Sequence, residues 1–599
     1  MKIQKERILF VILFLFSVFI VSNIWDHIEI KYKDPGIIGQ YSKNNYHGFN
    51  DILRYLIFLI IPTSIILSFK YFTNKEFLSE LSFFLKNTSN DKFIDNKNTY
   101  LNVIYFVIIS FLFLSFFSIN FPNYLVDSYH EGQRTSSAYK NLLDKSLWSG
   151  SYITVGIFYE TLSSSFFWKF FDHTSIGLSR FADVFYTFVF KLIFVTLIYY
   201  LAKLTKLDNS KQIFFFLLNS TLIISLVDYD IGNVDAISFR EIPIILLIFF
   251  FSLIVSNNKT LLSLFSISVL SVVSMLWGID RGIICNILIL IIFFYLALIK
   301  RNKEIFYLIF FIILNWFFLY LILNEEFTYF VNNTFLIFKE MNYIHGLIHP
   351  TPFTDQTNSS RATKTLMLIL VCIMISINLI SKKKYPKQFV KLIIFFTIIS
   401  VGSYLYALGR SDGPHIKNSF GFPLITFVIF ITYFLLKKMK ELSAVKIFSF
   451  SFVVLIFLIL SSNIELSNLF SFKKRFQNYI YSEDQTFLTD KEKNLVQFLE
   501  PKVKNLKCIQ LFSNDAIIYY LLRKKSCTKY YFVWSASSIY NQKNFINDLL
   551  EVDLIIAGGQ KSLWDYSINE KLFLVKDYID KNFYISDTFE DWNILIRKK

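Results

Sequence analysis

Glycine and proline are scarce in this chain, at 17 and 10 among 599 residues. The one Gly-Gly pair that follows a predicted strand, Gly558-Gly559, reads as a turn, because it lacks the flanking pattern of a phosphate loop. Only four cysteines are present, and no Cys/His spacing fits a zinc site. Cys285 and Cys372 fall inside apolar runs and read as packing residues. Cys508 and Cys527 lie in a polar tail, where a disulfide and two free thiols are both open. Internal repeats and midplane Gly/Pro breaks are missing too, which argues against a transporter or flippase. The net charge of +16 comes with no base-reading or aromatic-stacking motif, so nucleic acid is rejected as a partner.

Apolar residues are plentiful. They make up 54% of the chain, with 71 Phe and 35 Tyr, and the mean hydropathy is +0.46. A soluble protein of this length cannot hide so many, whereas a bilayer can. The joint abundance of Phe, Tyr, Ile, Asn and Lys is a compositional bias. It also yields chance sequons such as Asn332-Asn333-Thr334 and Asn358-Ser359-Ser360, which are discounted.

Met1 to Arg7 is basic, and residues 8–24 are apolar with no small-residue cleavage site after them, which predicts a retained helix. Further spans are expected at 51–72, 100–121, 182–204, 211–227, 241–256, 260–277, 281–299, 304–324, 365–381, 390–408, 419–437 and 445–462, about thirteen in all. Tyr152 to Phe171 is semi-apolar, with Glu160 and Lys169 inside it, and reads as interfacial or re-entrant. With the N-terminus in the cytoplasm, the inside loops carry Lys203/Lys206/Lys211, Lys300/Arg301/Lys303, Lys382/Lys383/Lys384/Lys387 and Lys437/Lys438/Lys440. The outside loops are poor in Lys and Arg by comparison, as the positive-inside rule requires. The tail 463–599 alternates predicted strands (507–512, 530–533, 554–557) with helices (516–522, 541–550), so it is expected to be an extracytoplasmic α/β domain that caps or recruits.

This topology pools the non-clustered charges on the extracytoplasmic face, where ionisable groups are costly and tend to be functional. Asp127, His130, Glu131 and Arg134 stand at i, i+3, i+4 and i+7, and would share a face if the stretch coils. That is the chemistry of a group-transfer site or of a solvated loop. Asp228, Asp230 and Asp235 form an acidic loop that is either a helix end or a site for Mg²⁺, Mn²⁺ or Ca²⁺. Arg240, Arg281 and Arg410 sit at outer span ends; guanidinium groups suit a lipid phosphate, and salt-bridged arginines are the plainer alternative. Gly409 to His415 is a tight loop that would hold Arg410, Asp412 and His415 in fixed directions, with His415 on a phosphate or moving a proton.

Together these features resemble the GT-C superfamily of integral-membrane glycosyltransferases, which take sugars from polyprenyl-phosphate carriers. The likeness rests on a span opening into an acidic motif (Asp127 and Glu131 in DSYHEG), a re-entrant-looking segment from Gly150 to Phe171, and HTSIGLSRF at 173–181. FREIP at 239–243, DRG at 280–282, GRSDGPH at 409–415, the many-span body and the α/β tail also fit. It covers roughly 100–599: residues 1–99 would be two added helices and a cytoplasmic loop, 100–462 the catalytic body and 463–599 the outer domain. The superfamily's acidic pair is more compact than Asp127 and Glu131, which leaves open which of the two is the base.

The resemblance implies a polytopic α-helical protein of a bacterial inner membrane that moves a sugar from a polyprenyl-phosphate donor to a glycan, lipid or protein acceptor, with inversion. Asp127 or Glu131 would be the base beside His130, and Arg281, Arg410 and His415, with Arg240 behind them, would hold the lipid phosphate. A lipid-linked oligosaccharide polymerase or ligase is the alternative.

Overall fold

The computed structural model describes residues 2–30, 39, 48–74, 76–85, 98–227, 237–380, 385–439, 449–450, 452–454, 456, 465–559, 562–563 and 566–598. The chain is a multi-pass helical membrane protein with a small sheet at its C-terminal end. In order, its helices are α1 (Lys2–Asn23), α2 (Phe49–Thr73), α3 (Phe77–Leu85), α4 (Thr99–Ser118), α5 (His130–Asp144), α6 (Ser163–Phe171), α7 (Ile176–Leu204), α8 (Asn209–Leu226) and α9 (Ile242–Val255). There follow α10 (Thr260–Trp277), α11 (Ile279–Leu298), α12 (Asn302–Leu323), α13 (Glu325–His345), α14 (Ser359–Ile380), α15 (Lys387–Ser403), α16 (Leu405–Gly409), α17 (Gly413–Ser419) and α18 (Gly421–Lys438).

Among the described residues, 9 helical stretches are long and apolar enough to cross a bilayer. Twelve of the expected spans coincide with helices, of which α1, α8 and α9 are not among the nine, α9 being only 14 residues long. The remaining one, 445–462, lies largely outside the described residues.

Local chemistry sets the helix starts. Asn98 accepts from Leu101 N (3.1 Å) at the head of α4, and its amide nitrogen donates to Gln212 (3.2 Å), so one residue caps α4 and ties it to α8. Ser175 does the same for α7, accepting from Leu178 N (3.0 Å) while its hydroxyl donates to Ile480 O (2.6 Å). The first two spans join the body through a core of their own, in which Trp25, Tyr55 and Phe58 meet Leu366, Ile369 and Tyr404.

The tail begins with α19 (Leu466–Ile480) and α20 (Asp490–Val503), then β1 (Cys508–Phe512), α21 (Ile517–Leu521), β2 (Lys525–Ser526), α22 (Ile539–Leu549) and β3 (Leu554–Ala557). After the short pair β4 (Ser562–Leu563) and β5 (Tyr566–Ser567) come α23 (Ile568–Lys571), α24 (Phe573–Asn582), β6 (Phe583–Phe589) and β7 (Trp592–Arg597). The main sheet runs β2-β1-β3-β7-β6, parallel across its first three strands and antiparallel beyond. Cys508 and Cys527 are joined, with a Cα–Cα distance of 5.0 Å, where β1 and β2 lie side by side.

One expected strand is corrected. Tyr530–Val533 pairs with no strand among the described residues; its rings are buried against the membrane body instead. Tyr531 donates to Glu160 (2.8 Å), Tyr530 packs on Tyr152, and Phe532 packs on Tyr129. Four adjacent apolar or aromatic residues suit a wholly buried segment as well as a strand, and periodicity cannot separate the two.

Candidate functional site

α5 is a polar helix with a buried body. Gln133, Arg134, Thr135, Ser136, Ser137, Lys140 and Asn141 are all inside, so each needs a partner. Gln133 donates to Thr154 (2.7 Å), Ser137 bonds Thr161 (2.6 Å), and Arg134 makes a two-pronged pair with Asp183 of α7. The tail supplies the rest: Ser136 donates to Ala516 O (2.5 Å), while Lys140 donates to Ser526 O (3.2 Å) and Thr528 O (3.1 Å). Lys140 has only carbonyls there, and burial brings its ammonium down to about 8. Gly132 permits this docking, since a Cβ there would sit 2.3 Å from Ile517 N. The tail therefore forms one wall of the site.

The four residues expected on one helix face divide into two kinds. α5 starts at His130, so Asp127 precedes it and caps it, accepting from Tyr129 N (3.0 Å) and His130 N (2.9 Å). The His130 imidazole returns to the other carboxylate oxygen (2.7 Å), and both side chains are about half exposed. Burial would raise the Asp127 carboxyl, but the hydrogen bond and charge of His130, with the two amides, hold it below its ordinary range. Glu131 instead accepts a fork from Arg180, at 2.8 Å and 2.9 Å, with Arg180 buried over Tyr124 and Phe487. Glu131 and Arg134 thus hold α5 to α7, and Asp127 is the carboxylate left open to solvent. Coiling begins three residues later than a shared face requires, because Asp127 is spent on the cap.

The loop before α17 repeats the plan. Asp412 caps α17 through His415 N (3.0 Å), and the His415 imidazole lies 2.6 Å from the same oxygen. The second oxygen accepts from Arg410 (2.7 Å). Burial opposes the charge on Asp412, but His415 and Arg410 overcome it and bring the carboxyl down to about 2. In both loops the His Nδ1 is committed to the aspartate, which leaves Nε2 for other use.

These loops meet around His345, at the end of α13. Burial first, then the charges of Arg410, His415, Lys571 and His130, push its imidazole well below the ordinary range. Elements far apart in sequence therefore bring basic side chains to one basin, with Lys571 coming from the tail, where burial pushes its ammonium well below the usual lysine range. Tyr129 is buried within reach of the charges of Arg410 and Asp127, and its hydroxyl has no hydrogen-bond partner among the described residues.

The three arginines separate. Arg281 is buried in a cluster with Asp280, Glu241 (2.9 Å) and the Tyr406 ring (3.9 Å), so its charge is consumed inside. Arg240 reaches Asp280 only at 3.4 Å, stacks on Tyr159, and is felt at His415. Arg410 belongs to the basin. Asp228, Asp230 and Asp235 lie outside the described residues, and among those described no cluster of three or more His, Cys, Asp or Glu could hold a metal ion.

Sequence reasoning passed over His345, Lys571 and Asp183, and quoted Tyr129 and Arg180 only as parts of motifs. A usable signal existed for Arg180 and Asp183: charges opening an apolar run need partners nearby. His345 and Lys571 carried none, since only the tertiary fold brings them to the basin.

No protein-family model and no curated protein matches the chain. Among solved structures it is similar to ArnT from Cupriavidus metallidurans bound to undecaprenyl phosphate, at 8% identity and TM-score 0.42 over 83% of this chain and 98% of that one. It is also similar to the Archaeoglobus fulgidus oligosaccharyltransferase tethered to an acceptor peptide, at 10% identity and TM-score 0.40 over 85% and 74%. Likenesses of this degree carry no argument about activity.

Proposed function

We propose that the protein is an extracytoplasmic-facing membrane glycosyltransferase that moves a sugar from a polyprenyl-phosphate carrier to an acceptor hydroxyl or amide, with inversion. The observation that carries this reading is the exposed Asp127 carboxylate beside a basin of basic side chains, Arg410 and His415 among them, at the ends of membrane helices. Asp127 takes the acceptor proton as the acceptor attacks the anomeric carbon, and His130 holds the carboxylate ionised and oriented. The bond to the carrier phosphate breaks with its electron pair going to the phosphate oxygen. Arg410 and His415 stabilise that oxygen, with Arg240 behind them. Arg281 has no direct part, because its partners are already in place. The Tyr129 hydroxyl has a bond to give, and the phosphate is its partner in this reading. The prenyl chain stays in the bilayer, which is why the basin stands at the membrane face.

The test is release of polyprenyl phosphate from a mixture of lipid-linked sugars by the purified, reconstituted protein, set against Asp127→Asn. Release that is lost in the variant supports transfer with Asp127 as base. Equal release from both removes Asp127, and no release with a broad acceptor pool removes the reading.

A further inference from the structure

A second surface stands apart from the basin, over the outer ends of α4 and α7. There α19 packs along α4 and α7, and the end of α6 meets it through Phe171 and Phe476 (ring centroids 5.7 Å apart), with Phe181 and Phe121 packed on Phe476 and Phe472. Arg475 donates to Ile119 O (2.6 Å) and Phe117 O (3.1 Å), closing the carbonyl end of α4. Because α4 is a candidate span, this bond fixes α19 at the level where a helix leaves the bilayer.

The outward faces of both helices carry one pattern. Phe166, Lys169 and Phe170 stand at i, i+3 and i+4 on α6, and Phe470, Lys473 and Lys474 do so on α19, so each trio shares a helix face. All six are exposed, Phe470 at 91%. Three phenyl rings left uncovered next to a span mark a face that the bilayer covers, since burying a ring is among the largest gains a side chain offers. No salt bridge engages the three lysines among the described residues, and the exposed acids nearby, Asp172 and Glu465, stand at the margins. An apolar and basic helix face is the composition that lies in a headgroup layer and favours anionic lipid.

We propose that α6 and α19 form a shelf in the headgroup layer on the Asp127 side. Phe166, Phe170 and Phe470 enter the acyl boundary, and Lys169, Lys473 and Lys474 rest on the phosphates of anionic phospholipids. The inference is independent of the reaction proposed above.

The test uses the full chain in nanodiscs of phosphatidylcholine alone or mixed with phosphatidylglycerol. A fluorophore is placed on Phe470→Cys; Cys508 and Cys527 are joined and Cys285 and Cys372 are buried, so position 470 takes the label. Lipids spin-labelled near the headgroup are expected to quench the probe. Phosphatidylglycerol retained by the purified protein is expected to fall about 25-fold or more in Lys473→Glu/Lys474→Glu, at roughly fivefold for each lysine charge lost. An unquenched probe in inserted protein overturns the shelf. Equal retention by the wild type and the double variant overturns the choice of anionic lipid, even where the probe is quenched.

Discussion

The loop before α5 and the loop before α17 share a four-residue plan, Asp-x-x-His, and differ in what surrounds it. In each, the aspartate caps a helix and grips the imidazole three residues on. Asp412 is mostly buried and is also paired with Arg410, whereas Asp127 is about half exposed with His130 as its side-chain contact. The same cap therefore yields a neutralised anchor in one place and an accessible carboxylate in the other, the one proposed as base. Environment, not motif, divides the roles.

The sharpest way to break this comparison is Asp127→Asn. Asparagine caps a helix about as well as aspartate, so the thermal midpoint is expected to stay within error. Transfer is expected to fall by roughly 10²–10⁴-fold, the usual contribution of a general base. A matching loss of stability would show that Asp127 is merely structural.

Next is Glu131→Ala, which strands a buried Arg180. The loss is expected in unfolding free energy, at about 3–5 kcal/mol, with kcat per folded molecule nearly kept. If kcat falls and stability does not, Glu131 is the base and the assignment is reversed.

A smaller effect is expected from Asp412→Asn, which keeps the cap but loosens Arg410 and His415. The measured donor KM should rise by an amount equivalent to about 1.5–3 kcal/mol, the worth of a charged hydrogen bond, with kcat changed far less.

The smallest effect near neutrality is in the pH dependence of stability. The Asp412 carboxyl lies at about 2 in the folded protein, below the roughly 3.9 of an unfolded chain. Its contribution is therefore full above about pH 4 and lost as pH falls towards 2. Thermal melts at descending pH should fall more steeply for the wild type than for Asp412→Asn.

Much of the body was legible in the sequence, because long apolar runs bounded by lysines leave a chain few alternatives to spanning. The same holds for β1 and β3, which are short apolar strands between turn signals. The start of α5 was left open because spacing alone cannot say whether an aspartate lies within a helix or caps it. Tyr530–Val533 was misjudged because its partners, Tyr129, Tyr152 and Glu160, are hundreds of residues away. Our preference for Asp127 over Glu131 in the proposed reaction rests on Arg180, whose fork appears only once α5 lies on α7. His345 and Lys571 belong to the same class, since nothing in their neighbours along the chain announces them.

The contact of Gly132 with Ile517, and of Ser128 with Asp515 (2.6 Å), has a consequence in time. The ribosome makes the loop that bears Asp127 early, and it must wait through the threading of the later helices before residues 508–535 arrive to finish its wall. During that interval α5 has an interior rich in hydroxyls and amides, with the bonds of Ser136 and Lys140 to the tail unmade. A chain stalled between α18 and β1 would therefore hold an inserted but unfinished centre, a natural point for quality control to recognise.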